Sequence, residues 1–161
     1  MQLILDLCQG LPEESFAAGE VLIPEGGATG RLFILIEGEI EIRKGELPLH
    51  VTAEPGAVFG EISALLDIPH TATVKTLTPA RLHVVGDAGT FLRTHQELAY
   101  GLSKLMAQRL HGMTSYLADL QRQFADHGSH LGMVHKVLSS LMQNHDDPFE
   151  PGSDRYPDPT I

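Results

Sequence analysis

Residues 59–74, FGEISALLDIPHTATV, put a glycine turn, a carboxylate and the start of a short helix directly before a strand-like Ala-Thr-Val. Any fold for this chain must therefore set one or two helical turns between strands. Gly60 has access to backbone angles closed to other residues, and residues 61–66 are long enough for a helix whose first N–H groups lack intrahelical acceptors. The amides of Glu61, Ile62, Ser63 and Ala64 are expected to point at an anion, helped by about half a positive charge from the helix dipole. A carboxylate beside a phosphate would repel it, so Glu61 suits a neutral hydroxyl, as in sugar recognition. Phosphate and ribose together describe a nucleotide.

The flanking sequence reads as strands. Ile40 and Ile42 alternate with Glu39, Glu41 and Arg43, the period of a half-buried strand. Turns are expected at 24–30, 44–48 and 54–56, each carrying the Gly or Pro that a reversal needs. A helical or loose lead covers 3–11. A last strand at 80–85 precedes Asp87, an N-cap for a short helix at 88–93. The middle of the chain is read as a β-roll.

These residues resemble the cyclic nucleotide-binding domain family, whose phosphate cassette reads FGE, a few small or apolar residues, Pro-Arg and an Ala-Thr-Val-like strand. The resemblance runs from about Phe16 to Val85. It includes Gly19-Glu20 with Val21, Glu25-Gly26, the run LFILIEGEIE at 32–41, Pro55-Gly56 and Phe59-Gly60. It implies an α+β fold: a cyclic nucleotide-binding β-roll (a double-stranded β-helix or jelly roll) with a long C-terminal dimerisation helix, and with 32–41 as paired strands around a tight Gly38 turn. It also implies cAMP or cGMP as ligand, held by Phe59, Gly60, Glu61, Ile62, Ser63, His70, Thr71 and Ala72. Thr71 in the family is commoner where guanine is accepted, yet Thr is also an ordinary strand residue, and the base stays open.

His70 departs from the pattern, because the family grips the cyclic phosphate with Arg at this position. Arg is always charged and offers paired donors, whereas imidazole has a reference pKa of about 6.5 and a single donor when neutral. Losing a charge-assisted hydrogen bond of about 1.5–3 kcal/mol lowers affinity roughly tenfold to a hundredfold. A bound phosphate would favour imidazolium and make binding stronger in mild acid. The alternative is a solvent-facing His70 in a domain that has lost its ligand.

From 97 to about 126 there is no proline, and Met106, Leu110, Met113, Leu117, Leu120 and Phe124 recur at spacings of four, three, four, three and four. This heptad-like seam predicts a homodimer through 102–124, against the alternative of a helix folded back on its own roll. Gly112 weakens the helix by about 1 kcal/mol relative to Ala and is expected to serve close packing or a hinge. In the catabolite activator branch of the family a Thr-Ser pair on the dimer helix caps the base, and Thr114 and Ser115 stand in a similar place. After Gly128 comes an apolar segment at 131–142, expected to dock on the dimer helix or to engage a protein effector. The expected organisation is a roll with short flanking helices at 1–97, a long and a following short helix at 98–145, and a disordered acidic, Pro-rich tail at 146–161. No room is left for a helix-turn-helix, so a sensor module without DNA binding is expected.

Composition narrows the function classes. The 161 residues are 42% hydrophobic, enough for a sizeable core. The net charge of −10 is divided as −8 over 1–97, +2 over 98–145 and −4 over the tail, a balance that repels nucleic acid. The longest clean apolar run, 32–36, is far below the about 18 residues needed to span a bilayer, and the N-terminus lacks a basic signal head; a cytoplasmic protein with no membrane partner is expected. Cys8 stands alone, so neither an internal disulfide nor an iron–sulfur cluster is available to it. No nucleophile elbow, Walker loop or CxxC is present, and His50, His70 and His83 fall on separate elements, so no enzyme and no metal site is expected. His127, His130 and His135 offer only a weak zinc reading. The competing function is a degenerate domain used as a dimerisation or protein-interaction scaffold, or one tuned to another small anion.

Overall fold

The computed structural model describes residues 2–123; Phe124, Gly128, the 131–142 segment, the tail and His127, His130 and His135 lie outside them. The chain separates into two compact units, Met1–Leu105 and Met106–Ile161. The first begins with α1 (Gln2–Leu7), then β1 (Glu13–Phe16), β2 (Val21–Ile23), β3 (Leu32–Glu37), β4 (Ile40–Lys44), β5 (Leu47–Thr52) and β6 (Val58–Phe59). It continues through α2 (Glu61–Leu66), β7 (Thr73–Thr76), β8 (Ala80–Val85), α3 (Ala88–Thr94) and the opening turns of α4 (Gln96–Gln123). Asp87 caps α3 through its carboxylate, which accepts a 2.9 Å bond from the Thr90 N–H.

Two four-stranded antiparallel sheets form the roll, one ordered β1-β8-β3-β6 and the other β2-β7-β4-β5. The continuous apolar run at the start of β3 has a simple cause: that strand is buried on both faces. Phe33 and Leu35 belong to the core shared with Leu22, Ile23, Ile40, Phe59 and Val74 from the other elements of the roll. Leu32 and Ile34 point the other way, into a second core with Ile4 and Cys8 of the N-terminal segment, Leu92 of α3, and Leu98 and Leu102 of α4. Burial pushes the Cys8 thiol up to about 11, so it is a packed, unreactive group.

Two expectations change. β3 and β4 are not paired around Gly38; they lie in different sheets, and Gly38 carries the chain from one to the other. Its φ of 107° and the absence of a Cβ are both required there, since a Cβ would stand 2.6 Å from the Ala80 Cβ. The reversal expected over 44–48 is confined to Gly45 and Glu46, because Leu47 and Pro48 already pair with Lys44 and Arg43 on the edge strand β5. A Cβ on Gly112 would meet nothing within 4 Å among the described residues of this one chain.

Candidate functional site

The cassette begins where β6 ends. Phe59 is buried in the roll core, and Gly60 turns the chain with φ 92°. A Cβ on Gly60 would sit 2.4 Å from the Arg31 carbonyl oxygen, so only glycine lets the turn approach β3 this closely. α2 follows at once with Glu61, whose side chain is buried. Helix geometry leaves the amides of Ile62 and Ser63 without an intrahelical acceptor. Ala64 does not belong to that donor set, since its N–H is taken by the Gly60 carbonyl at 3.2 Å. Ile62 is exposed, as are Leu65, Leu66 and Ile68.

His70 is not the solvent-facing loop residue of the alternative sequence reading; only 4% of its surface is exposed. Its backbone is stapled to the β2–β3 loop, with the Gly26 N–H donating to the His70 carbonyl at 2.7 Å and the His70 N–H donating to Gly27 at 2.8 Å. The ring is engaged on both sides. Nδ1 lies 2.8 Å from Ser63 Oγ, and Nε2 lies 2.8 Å from Thr29 Oγ1 and 3.2 Å from the Thr29 amide, which donates to it. Burial holds the imidazole pKa below its ordinary 6.5, so the ring is neutral at pH 7.

Gly60, Ser63 and His70 line one open cavity of about 590 Å³, together with Ala28 and Gly30 of the β2–β3 loop, Ala64, Leu65, Asp67 and Ile68 of the cassette, and Asp87, Gly89 and Arg93. Phe59, Glu61, Ile62, Thr71 and Ala72 are not among its lining residues. Thr71 is exposed and Ala72 half-buried just ahead of β7. Thr114 and Ser115 lie on α4 beyond Leu105, in the second unit, and Thr114 Oγ1 donates to the Leu110 carbonyl at 2.8 Å, bonding back along its own helix. Thr29 escaped the sequence reading. Its only signal was a hydroxyl in the Gly-rich 24–30 turn, and nothing local shows that this turn folds against residue 70. No group of three or more His, Cys, Asp or Glu side chains able to hold a metal occurs among the described residues. No helix of the described residues is long and apolar enough to cross a membrane.

The family model for the cyclic nucleotide-binding domain matches residues 13–95. Among similar proteins, the cGMP-dependent protein kinase egl-4 of Caenorhabditis elegans is 35% identical over 96 residues, 59% of this chain and 12% of the kinase. The cAMP-dependent protein kinase regulatory subunit of Yarrowia lipolytica is 32% identical over 84 residues, 52% of this chain and 22% of that protein. The CRP-like cAMP-activated global transcriptional regulator of Mycobacterium tuberculosis is 29% identical over 123 residues, 73% of this chain and 55% of the regulator. The chain thus spans less than a quarter of the two kinase-related proteins and about half of the regulator. Among solved structures, PKAR CBD2 with bound Sp-2Cl-cAMPS superposes with a TM-score of 0.55 at 25% identity, covering 71% of this chain and 75% of that one. The catabolite activator protein of Thermus thermophilus, at 19% identity, shares the fold with a TM-score of 0.57 over 87% of this chain and 81% of its own. With the cassette turn, the two-sheet roll and the family match covering residues 13–95, this chain belongs to the cyclic nucleotide-binding domain family.

Proposed function

We propose that this chain is a non-enzymatic, cytoplasmic cyclic nucleotide sensor module, in which cAMP or cGMP bound at the cassette biases the position of the C-terminal helix. The observation that carries the reading is the Gly60 turn: its left-handed backbone and close approach to the Arg31 carbonyl admit only glycine, and they deliver the first turn of α2 and a buried Glu61 in one step. The donors assigned to the cyclic phosphate are the amides of Ile62 and Ser63 and the Ser63 hydroxyl. Glu61 is assigned to the ribose, and Thr71, Ala72, Thr114 and Ser115 to the base side. Coupling follows if ligand binds one arrangement of the helix better than the other, by the difference in contact free energy. The seam at 102–124 is assigned to a homodimer, and the output to a protein effector rather than DNA.

A second reading has a specific observation in its favour. His70 is neutral, buried and bonded to the protein through both ring nitrogens, as expected of a domain that no longer binds cyclic nucleotide and acts as a dimerisation or protein-interaction scaffold. Titration calorimetry with cAMP and cGMP separates the two. The sensor reading expects saturable binding and a gain of roughly tenfold or more for His70→Arg, since a guanidinium restores a charge-assisted bond. Absence of heat at millimolar nucleotide for both proteins would leave the scaffold.

A further inference from the structure

Around His70 the hydrogen bonds have a single consistent direction. A backbone amide only donates, so the Thr29 N–H at 3.2 Å requires Nε2 to be an acceptor. The Arg31 N–H donates to Thr29 Oγ1 at 3.3 Å, leaving that hydroxyl to donate its own proton to Nε2 at 2.8 Å. With Nε2 accepting and the ring neutral, the ring proton is on Nδ1 and is donated to Ser63 Oγ at 2.8 Å. Ser63 Oγ, having accepted that bond, keeps its hydroxyl proton for a further partner, and Ser63 lines the cavity between the cassette and the β2–β3 loop.

We infer that Thr29 is a positioning residue that fixes His70 as a neutral Nδ1–H donor to Ser63, so that the Ser63 hydroxyl, and not the imidazole, is the group offered to an anionic oxygen. The inference rests on the nucleotide reading above only for the identity of the anion. It explains how a cassette can keep a directed donor with the guanidinium gone: the imidazole acts through the serine. It also gives the β2–β3 loop a task, since that loop supplies the two donors that set the tautomer.

The relay is tested on the full chain by nitrogen-15 NMR of labelled histidine, without nucleotide. The expected signature is a pyrrole-type Nδ1 and a pyridine-type Nε2 at His70. Thr29→Val keeps the longer amide bond to Nε2 but removes the shorter hydroxyl one, and is expected to admit an Nε2–H population beside the Nδ1–H form, with Thr29→Ser retaining the wild-type pattern. An Nε2–H tautomer in the wild type, or a Thr29→Val spectrum identical to it, overturns the inference. Titration with cAMP and cGMP adds a functional readout. Ser63→Ala is expected to weaken binding roughly tenfold and Thr29→Val roughly threefold, with no further loss from Thr29→Val once Ser63 is Ala. Additive losses in that double variant overturn the assignment of the donor to Ser63. A wild type that binds neither nucleotide, yet shows the Nδ1–H tautomer and a mixture in Thr29→Val, supports the relay while refuting the ligand.

Discussion

At His70, burial and charge pull against each other. The ring gains three hydrogen bonds as a neutral group, and one of them, from the Thr29 amide, is lost when Nε2 takes a proton. Desolvation lowers the folded pKa below 6.5, whereas the unfolded chain keeps the ordinary value. The unfolded state therefore binds more protons as pH falls, and the contribution of His70 to stability is present above about pH 6.5 and lost progressively below it. The charged groups that line the same cavity are Asp67, Asp87 and Arg93. We expect urea midpoints of the wild type to fall between pH 7 and 5.5 more steeply than those of His70→Asn; parallel curves would exclude His70 as the source. The sequence located the cassette and its odd residue. It held no information on burial at residue 70, because that is set by Thr29 and Gly27, about forty residues away and brought close only by the sheets.

At the scale of elements, the strands follow their local patterns and their partners do not. The β8 and α3 segments and the Asp87 cap are legible from alternation, Gly/Pro punctuation and a single capping carboxylate. The β3–Gly38–β4 stretch looks locally like a hairpin, yet β3 pairs with β6 and β8 while β4 pairs with β5 and β7. β3 is the reason: a strand buried on both faces gains more from a central place in one sheet, with helices behind it, than from a local turn. Gly38→Ala is expected to lower stability by at least about 1–3 kcal/mol from the left-handed backbone alone, with more from the approach to Ala80. Chemical denaturation gives the value; a variant as stable as the wild type would mean that the crossing is looser than its geometry. Phe33→Ala, at the edge-on contact with Phe16, is expected to cost about 3–5 kcal/mol in the same assay.

For the whole molecule, the distal part of α4 presents apolar side chains. Leu110, Met113 and Tyr116 are exposed, and Leu117 and Leu120 are half-buried. A second copy is the proposed cover, and Leu117→Glu is expected to convert a dimer to a monomer in sedimentation velocity while leaving the circular dichroism of the roll unchanged. A wild type that sediments as a monomer at all concentrations would sink the homodimer. The amino-acid sequence by itself determined the family, the strand and helix segments, the cassette turn and the charge balance. Each depends on neighbours a few residues apart, where glycine conformation, side-chain period and capping act. Tertiary structure alone decided which strands share a sheet, that His70 is buried and neutral, and that Thr29 and Ser63 bracket its ring. Those outcomes come from competition for buried surface and for hydrogen-bond partners between segments far apart in the chain, and local pattern cannot rank such competitors.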